Sequence, residues 1–251
     1  MCNFYGHKVD KMNFIRLNNI ELELGYIAAI EELQELINGF NYGKAPVIRK
    51  KNESSYEVVP MHWELIPFWI KTMEQVQQAR RQGIPWLNAS SEKLLESKMF
   101  RDAALKRRCL VLASHFFEWR SFKPATKKKE NKYPYCIELN NKEYFFMAGI
   151  WQPFTDKETG ETMDTFAIVT TKANALMEQL HNHKKRMPVI LTEKLAEKWL
   201  QNDLTEEQIK EIASFQLPAN DMVAFTIAKN FKTSISPLEA FYFEELPELI
   251  K

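Results

Sequence analysis

Glycine is scarce in this chain: 7 of 251 residues, under half the usual frequency. No glycine-rich phosphate loop of the Rossmann or P-loop type can be assembled from Gly25, Gly39, Gly43 and Gly83, which stand isolated. Cysteine is scarcer still. Cys2, Cys109 and Cys136 are odd in number and not spaced as zinc ligands, so reduced thiols and no metal are expected. No run approaches the ~20 apolar residues that span a bilayer. The first residues lack the basic and apolar regions of a signal peptide, which leads us to expect a cytoplasmic, nucleoid-associated protein with no membrane partner. Excess charge is also missing: 34 basic residues against 33 acidic give +1. A composition of 45% hydrophobic and 27% charged residues is that of a folded globular protein and excludes a disordered chain.

What is there is unevenly distributed. Residues 101–135 hold ten Lys/Arg and three Asp/Glu, whereas residues 189–251 hold six and eleven. The basic middle permits a polyanionic partner, although Lys127–Lys129 reads as a solvated loop. Helical spacing marks 26–38, 73–82, 91–98, 172–181, 192–201 and 205–214, with Asn88 and the small residues after it suiting the start of the 91–98 helix. Short β-branched and aromatic runs mark strands at 56–59, 108–112, 115–120, 134–138, 143–150, 165–170, 188–191 and 222–228. Strands gather in the middle with helices at both ends, so the class is α+β rather than regular βαβ alternation. No repeat or linker divides residues 1–251, and one domain is expected.

Four segments carry chemistry. Cys2 follows the initiator methionine; once Met1 is removed, an α-amine and a thiol sit on one carbon framework, able together to trap an aldehyde as a five-membered thiazolidine. In His115-Phe116-Phe117-Glu118-Trp119, strand alternation puts Phe117 and Trp119 on one face and Glu118 on the other with Phe116. A carboxyl among aromatics titrates high and serves as acid or base; the alternative is an edge residue in water. His181 and His183 stand in a basic loop after a helix and before an apolar strand, as an acid/base group or simply as surface. Trp63 and Trp69 flank Leu65-Ile66-Pro67, as core or as a stacking platform for unpaired bases.

The order of these signals is more specific than any one of them. Met1-Cys2 is followed by W-x-L-I-P-x-W at 63–69, Asn88-Ala89-x-Ser91-Glu92, Phe100-Arg101, Arg108-Cys109-Leu110-Val111, Phe116-Phe117-Glu118-Trp119, Thr170-Thr171-x-Ala173-Asn174, and His181 with Arg186-Met187-Pro188. This series resembles the SOS response-associated peptidase (SRAP) family, the abasic-site processing proteins, from residue 2 to about 191. The resemblance implies a single domain with a curved, barrel-like, mainly antiparallel sheet flanked by helices. It implies self-removal of Met1 and a thiazolidine between Cys2 and the ring-opened aldehyde of an abasic site in single-stranded DNA. Its catalytic set falls on Cys2, Asn88, Glu118 and His181, with His181 preferred over His183 because the histidine-to-Arg-Met-Pro spacing is longer here than usual. No cofactor is implied, and a monomer is expected.

The departures lie in the part that holds DNA. Phe4 and Ser90 stand where the family usually has phosphate-binding arginines, and Glu64 and His115 where it usually has glycine. The expected DNA-binding set is therefore Trp63, Trp69, Arg101, Lys184, Lys185 and Arg186, since phosphate affinity follows summed positive charge. Two other readings compete: an amidohydrolase or peptidase acting through an N-terminal cysteine, and a non-catalytic single-stranded DNA-binding relative.

Overall fold

The structure, a computed structural model, describes residues 2–8, 14–17, 20–23, 34–52 and 55–250. The chain begins with β1 (Phe4–Gly6), β2 (Phe14–Leu17), β3 (Ile20–Glu23), β4 (Ile37–Asn38), β5 (Lys44–Asn52) and β6 (Ser55–Trp63). Then come α1 (Met73–Arg81), β7 (Asn88–Ser90), α2 (Arg101–Lys106), β8 (Arg108–Ala113), β9 (His115–Phe122), β10 (Asn131–Leu139), β11 (Phe145–Thr155) and β12 (Thr162–Lys172). It closes with α3 (Ala175–Leu180), β13 (Arg186–Pro188), β14 (Ile190–Leu191), α4 (Glu193–Trp199), α5 (Glu206–Ala213) and β15 (Met222–Thr226).

Two sheets share the work. The first runs β15-β10-β9-β1-β4, antiparallel throughout. In the second, β12, β6, β5, β8 and β11 form a closed ring, because β11 pairs with β12 as well as with β8. The ring is mixed: β12 is parallel to β6, and also to the short β7 outside it. The α+β class and the barrel-like, mainly antiparallel sheet expected from sequence are both present.

β8 shows why these residues make these layers. All six of its residues, Arg-Cys-Leu-Val-Leu-Ala, are buried, the pattern of a strand covered on both faces. Cys109, Val111 and Ala113 join a cluster with Cys2, Tyr5 and Phe116 of the first sheet. Leu110 and Leu112 join a second cluster with Ala103, Trp199, Ile209 and Ile212 from the helices. The helices start where their side chains permit. Thr72, Asn174, Thr192 and Thr205 each accept a backbone N–H of the first turn, and Thr205 with Gln208 completes a capping box.

Three expectations are corrected. Of the helix read at 26–38, residues 26–33 lie outside the described residues, and its end is instead strand β4, paired with β1 at Phe4 and Tyr5. The helix read at 91–98 is a 3-10 turn at Ser91–Lys93 followed by irregular turns, and Asn88 belongs to β7 rather than to a helix start. Leu94 and Leu95 instead face the core from a non-helical backbone. The helix read from 172 begins at Ala175, because the Asn174 side chain caps the Met177 N–H and residues up to Lys172 remain in β12.

Gly6 is where the fold meets the site. A Cβ there would lie 2.0 Å from the Glu35 carbonyl oxygen and 2.6 Å from His115 Nε2. We therefore expect Gly6→Ala to destabilise the protein by about 1–3 kcal/mol through overpacking. It should also speed labelling of the buried Cys2 thiol by a disulfide reagent, because β1 must move; unchanged melting and labelling would contradict this packing.

Candidate active site

β1 pairs antiparallel with β9, Tyr5 opposite Phe116 and Gly6 opposite His115. Run back toward the N-terminus, that register brings residue 3 level with Glu118. Cys2 is fully buried, its thiol 3.8 Å from the Phe4 carbonyl oxygen. Asn3 accepts a 3.0 Å hydrogen bond from Asn88 Nδ2 of β7. The buried Oδ1 of Asn88 has no hydrogen-bond partner among the described residues, an acceptor left for a ligand.

Glu118 is 3% exposed, with Phe116, Phe117 and Trp119 as its strand neighbours. Burial raises its pKa to about 7, against which the positive charge of Lys184 pulls only weakly. The Cys2 thiol is pushed well above the ordinary range, first by burial and then by the charge of Glu118. This thiol is not a resting thiolate; its proton must go to a neighbour as it reacts.

His181 closes the C-terminal end of α3, its N–H donating to the Met177 carbonyl. Its Nδ1 lies 2.9 Å from the Arg186 carbonyl oxygen, a contact that holds the ring with Nε2 4.0 Å from Glu118 Oε2. Burial, helped by Lys184 and Arg186, lowers the ring pKa to about 4. At neutral pH the pair therefore consists of a neutral imidazole and a carboxyl that is only partly ionised. His183 is 62% exposed and bonds Glu130 at 3.1 Å.

Between the histidines, Asn182 does what the sequence did not reveal. Its amide donates to the Ser121 carbonyl at 2.7 Å and accepts the Ser121 N–H at 3.1 Å, pinning the loop to β9. The segment from His181 to Arg186 makes a tight turn. The Lys185 N–H donates to the His181 carbonyl at 2.8 Å, and Lys185 adopts φ 49°.

Glu118, His181 and Asn3 line a cleft of about 410 Å³ together with Trp119, Ser121, Lys132, His183, Lys184 and Lys232. The expected DNA-binding set is largely redistributed. Trp63 is corrected to core: it is 1% exposed, its indole donates to the Leu87 carbonyl at 3.0 Å, and its ring packs on Tyr5 and Phe166. Arg101 forks onto Glu206 of α5, and Arg186 is tied to Glu92 at 2.5 Å and to the Thr170 carbonyl at 2.6 Å, so both are structural cross-ties in this state. Lys185 lies 3.9 Å from Glu178. Trp69 stays half exposed, edge-on to Phe68. Lys184 faces the cleft, as do Lys132 and Lys232, which no local spacing in the sequence ties to residues so distant along the chain.

Phe4, Ser90, Glu64 and His115 each have local partners. The ring of Phe4 packs edge-on to Trp119 with centroids 5.1 Å apart. Ser90 pairs with Thr170 in β7. Glu64, 1% exposed, receives two nitrogens of Arg80 on Oε2. His115 Nε2 lies 2.7 Å from the Glu35 carbonyl oxygen. Among the described residues no three His, Cys, Asp or Glu groups cluster as a metal site, and no helix is long and apolar enough to cross a membrane.

The raised pKa of Glu118 sets a pH dependence with a definite sign. The folded state holds this proton more tightly than the unfolded chain, so the carboxyl is costless below pH ~4.5. Stability is lost as pH rises from there toward 7 and levels off above. Compared at matched pH by denaturant unfolding, Glu118→Gln should be more stable than wild type by a margin that grows from pH 5 to pH 7 and saturates at or below about 3 kcal/mol. A margin independent of pH would place the carboxyl in water.

Comparison with known proteins identifies the family. The family model described as SOS response associated peptidase (SRAP) matches residues 1–234. The abasic site processing protein YoqW of Bacillus subtilis is 33% identical over 168 residues, which are 67% of this chain and 68% of that one. The abasic site processing protein YedK of Escherichia coli is 24% identical over 225 residues, 88% and 89% of the two chains. A solved protein from Bacteroides thetaiotaomicron superposes with a TM-score of 0.75 at 31% identity, covering 95% of this chain and 97% of its own. The chain belongs to the SOS response associated peptidase family.

Proposed function

We propose that this protein processes abasic sites in single-stranded DNA in the DNA damage response, by forming a covalent bond to them at Cys2 after removing its own Met1. The observation that carries the reading is the meeting of a buried, high-titrating Glu118, the Nε2 of His181 at 4.0 Å and the Cys2 thiol under the influence of the same carboxyl. Similarity to proteins named for abasic site processing supports the substrate class.

The chemistry balances without an outside oxidant or reductant. Water adds across the Met1–Cys2 amide, releasing methionine and freeing the Cys2 amine. That amine adds to the C1′ aldehyde of the opened sugar, and the carbinolamine loses water to give an imine. The thiol then adds to the imine carbon while its proton passes to the nitrogen, closing the thiazolidine. Glu118, half protonated near pH 7, gives a proton to the departing oxygen and takes one from the thiol. His181 assists the opening of the sugar ring; a DNA phosphate nearby raises its pKa from about 4 toward the working range, because an anion favours the imidazolium. Asn88 offers its buried Oδ1 to the Cys2 amine or to a sugar hydroxyl.

Incubation with abasic single-stranded DNA and a denaturing gel tests this. Wild type should give a heat-stable adduct, Cys2→Ala none, and Cys2→Ser only a labile imine. An undiminished stable adduct in Cys2→Ala removes Cys2 from the role, and hydrolysis of glutamine analogues without any adduct would favour the amidohydrolase. On the same gel, His181→Ala should slow the adduct ~10²-fold, whereas His183→Ala, at an exposed ring held by Glu130, should leave the rate within about threefold. The reverse order would mean that the other imidazole is the catalytic one.

A further inference from the structure

Most arginines in this structure face a carboxylate: Arg49 meets Glu57 and Asp164, Arg80 meets Glu64, Arg101 meets Glu206, Arg107 meets Asp102 and Arg186 meets Glu92. Three lysines gather in one place. Lys132, Lys184 and Lys232 are exposed, line the cleft that holds Glu118 and His181, and have no carboxylate within ion-pair distance among the described residues. Glu118, buried at the base of that cleft, is only partly ionised near neutral pH. The cleft is therefore net positive and offers several N–H donors at once, which suits an anion with several acceptor oxygens.

Lys232 is the most firmly placed of the three. It sits in the 3-10 turn Phe231–Thr233. Phe231 is 1% exposed and stacks on Phe117 at 4.9 Å, with Trp119 at 6.0 Å, so the turn is anchored in an aromatic cluster. The Lys232 ammonium then lies 4.1 Å from the Phe4 ring centroid and 5.1 Å from that of Trp119. Ring faces hold a cation without using up its hydrogen-bond donors, and they restrict the long side chain before a ligand arrives. Phe4 in turn meets Phe40 at 6.1 Å, and Phe40 is 44% exposed. A ring for a base and a cation for the adjoining phosphate thus stand next to each other.

We propose that Lys232, supported by Lys132 and Lys184, forms the subsite that holds the phosphodiester adjoining the residue captured at Cys2, with the neighbouring base against Phe40. This rests on the reading of the cleft as a single-stranded DNA site but not on the covalent step. Phe4 thereby acts as a platform for a cation delivered from the C-terminal part of the chain.

The test uses an undamaged fluorescent 12-nucleotide single strand, so that binding is read without crosslinking. Lys232→Met, which keeps the apolar stem, should weaken binding roughly fivefold and lower the slope of log affinity against log salt by ~0.7, one phosphate contact. Lys232→Arg should keep both, and Lys142→Met, at the Lys142–Glu193 pair outside the cleft, should change neither. Inorganic phosphate at the same concentration of phosphate groups should not displace the strand; displacement would mean a site for the free anion and would overturn the proposal. With abasic DNA, Lys232→Met should raise the concentration giving half-maximal crosslinking by the same factor while the rate at saturation holds. Wild-type affinity and salt slope in Lys232→Met would overturn the subsite, as would weakened binding that Lys232→Arg fails to restore. Binding that responds to Lys232 in a wild type that forms no adduct would instead leave the subsite standing and remove the covalent reading.

Discussion

The pairing of β1 with β9 is the constraint on which the rest depends. Three residues of strand, Phe4–Gly6, lay the start of the chain along the one strand that carries Glu118. Without that pairing Cys2 would be an ordinary residue at a solvated terminus, with a thiol of ordinary acidity and no carboxyl to exchange protons with. With it, Cys2 is fully buried, and the neighbouring carboxyl of Glu118 adds to the cost of ionising the thiol. β4 holds the far edge of β1, and Gly6 allows the close approach of Glu35 and His115 that keeps the strand in place.

The second half of the site is set by a loop rather than by a sheet. His181 ends α3, but the orientation of its ring comes from the Arg186 carbonyl five residues on, and the loop between is fastened to β9 by the two bonds of Asn182. Arg186 continues the chain of support outward, through Thr170 on β12 and Glu92 in the 3-10 turn after β7. A residue whose charge suggests phosphate thus works here as a strut, and the imidazole it helps to place stays neutral because burial and neighbouring cations oppose protonation.

The aromatic and charged residues around the mouth of the cleft form a different kind of layer. Phe4, Trp119, Phe117 and Phe231 make a small cluster of their own, apart from the two main cores, and it is this cluster that carries Lys232 over the cleft. Phe4 carries no charge of its own, but its ring lies 4.1 Å from the Lys232 ammonium, which a turn far along the sequence brings to β1.

Much of this was legible in the linear sequence for identifiable reasons. Apolar periodicity and aromatic strands act locally, so the helices near 73–82, 192–201 and 205–214 were readable, as was the strand at Phe116–Trp119 with Glu118 on the face opposite Phe117. The order of motifs from Cys2 to Pro188 was equally readable and led to the family. What no local pattern could settle was decided by contacts between distant residues: whether Trp63 faced bases or the core, whether Arg101 and Arg186 met phosphates or Glu206 and Glu92, and that Lys132 and Lys232 would join Lys184. An indole or a guanidinium has the same local preferences in either setting. Its role is fixed by burial and by the charge of its neighbours, and these exist only once the sheets have closed.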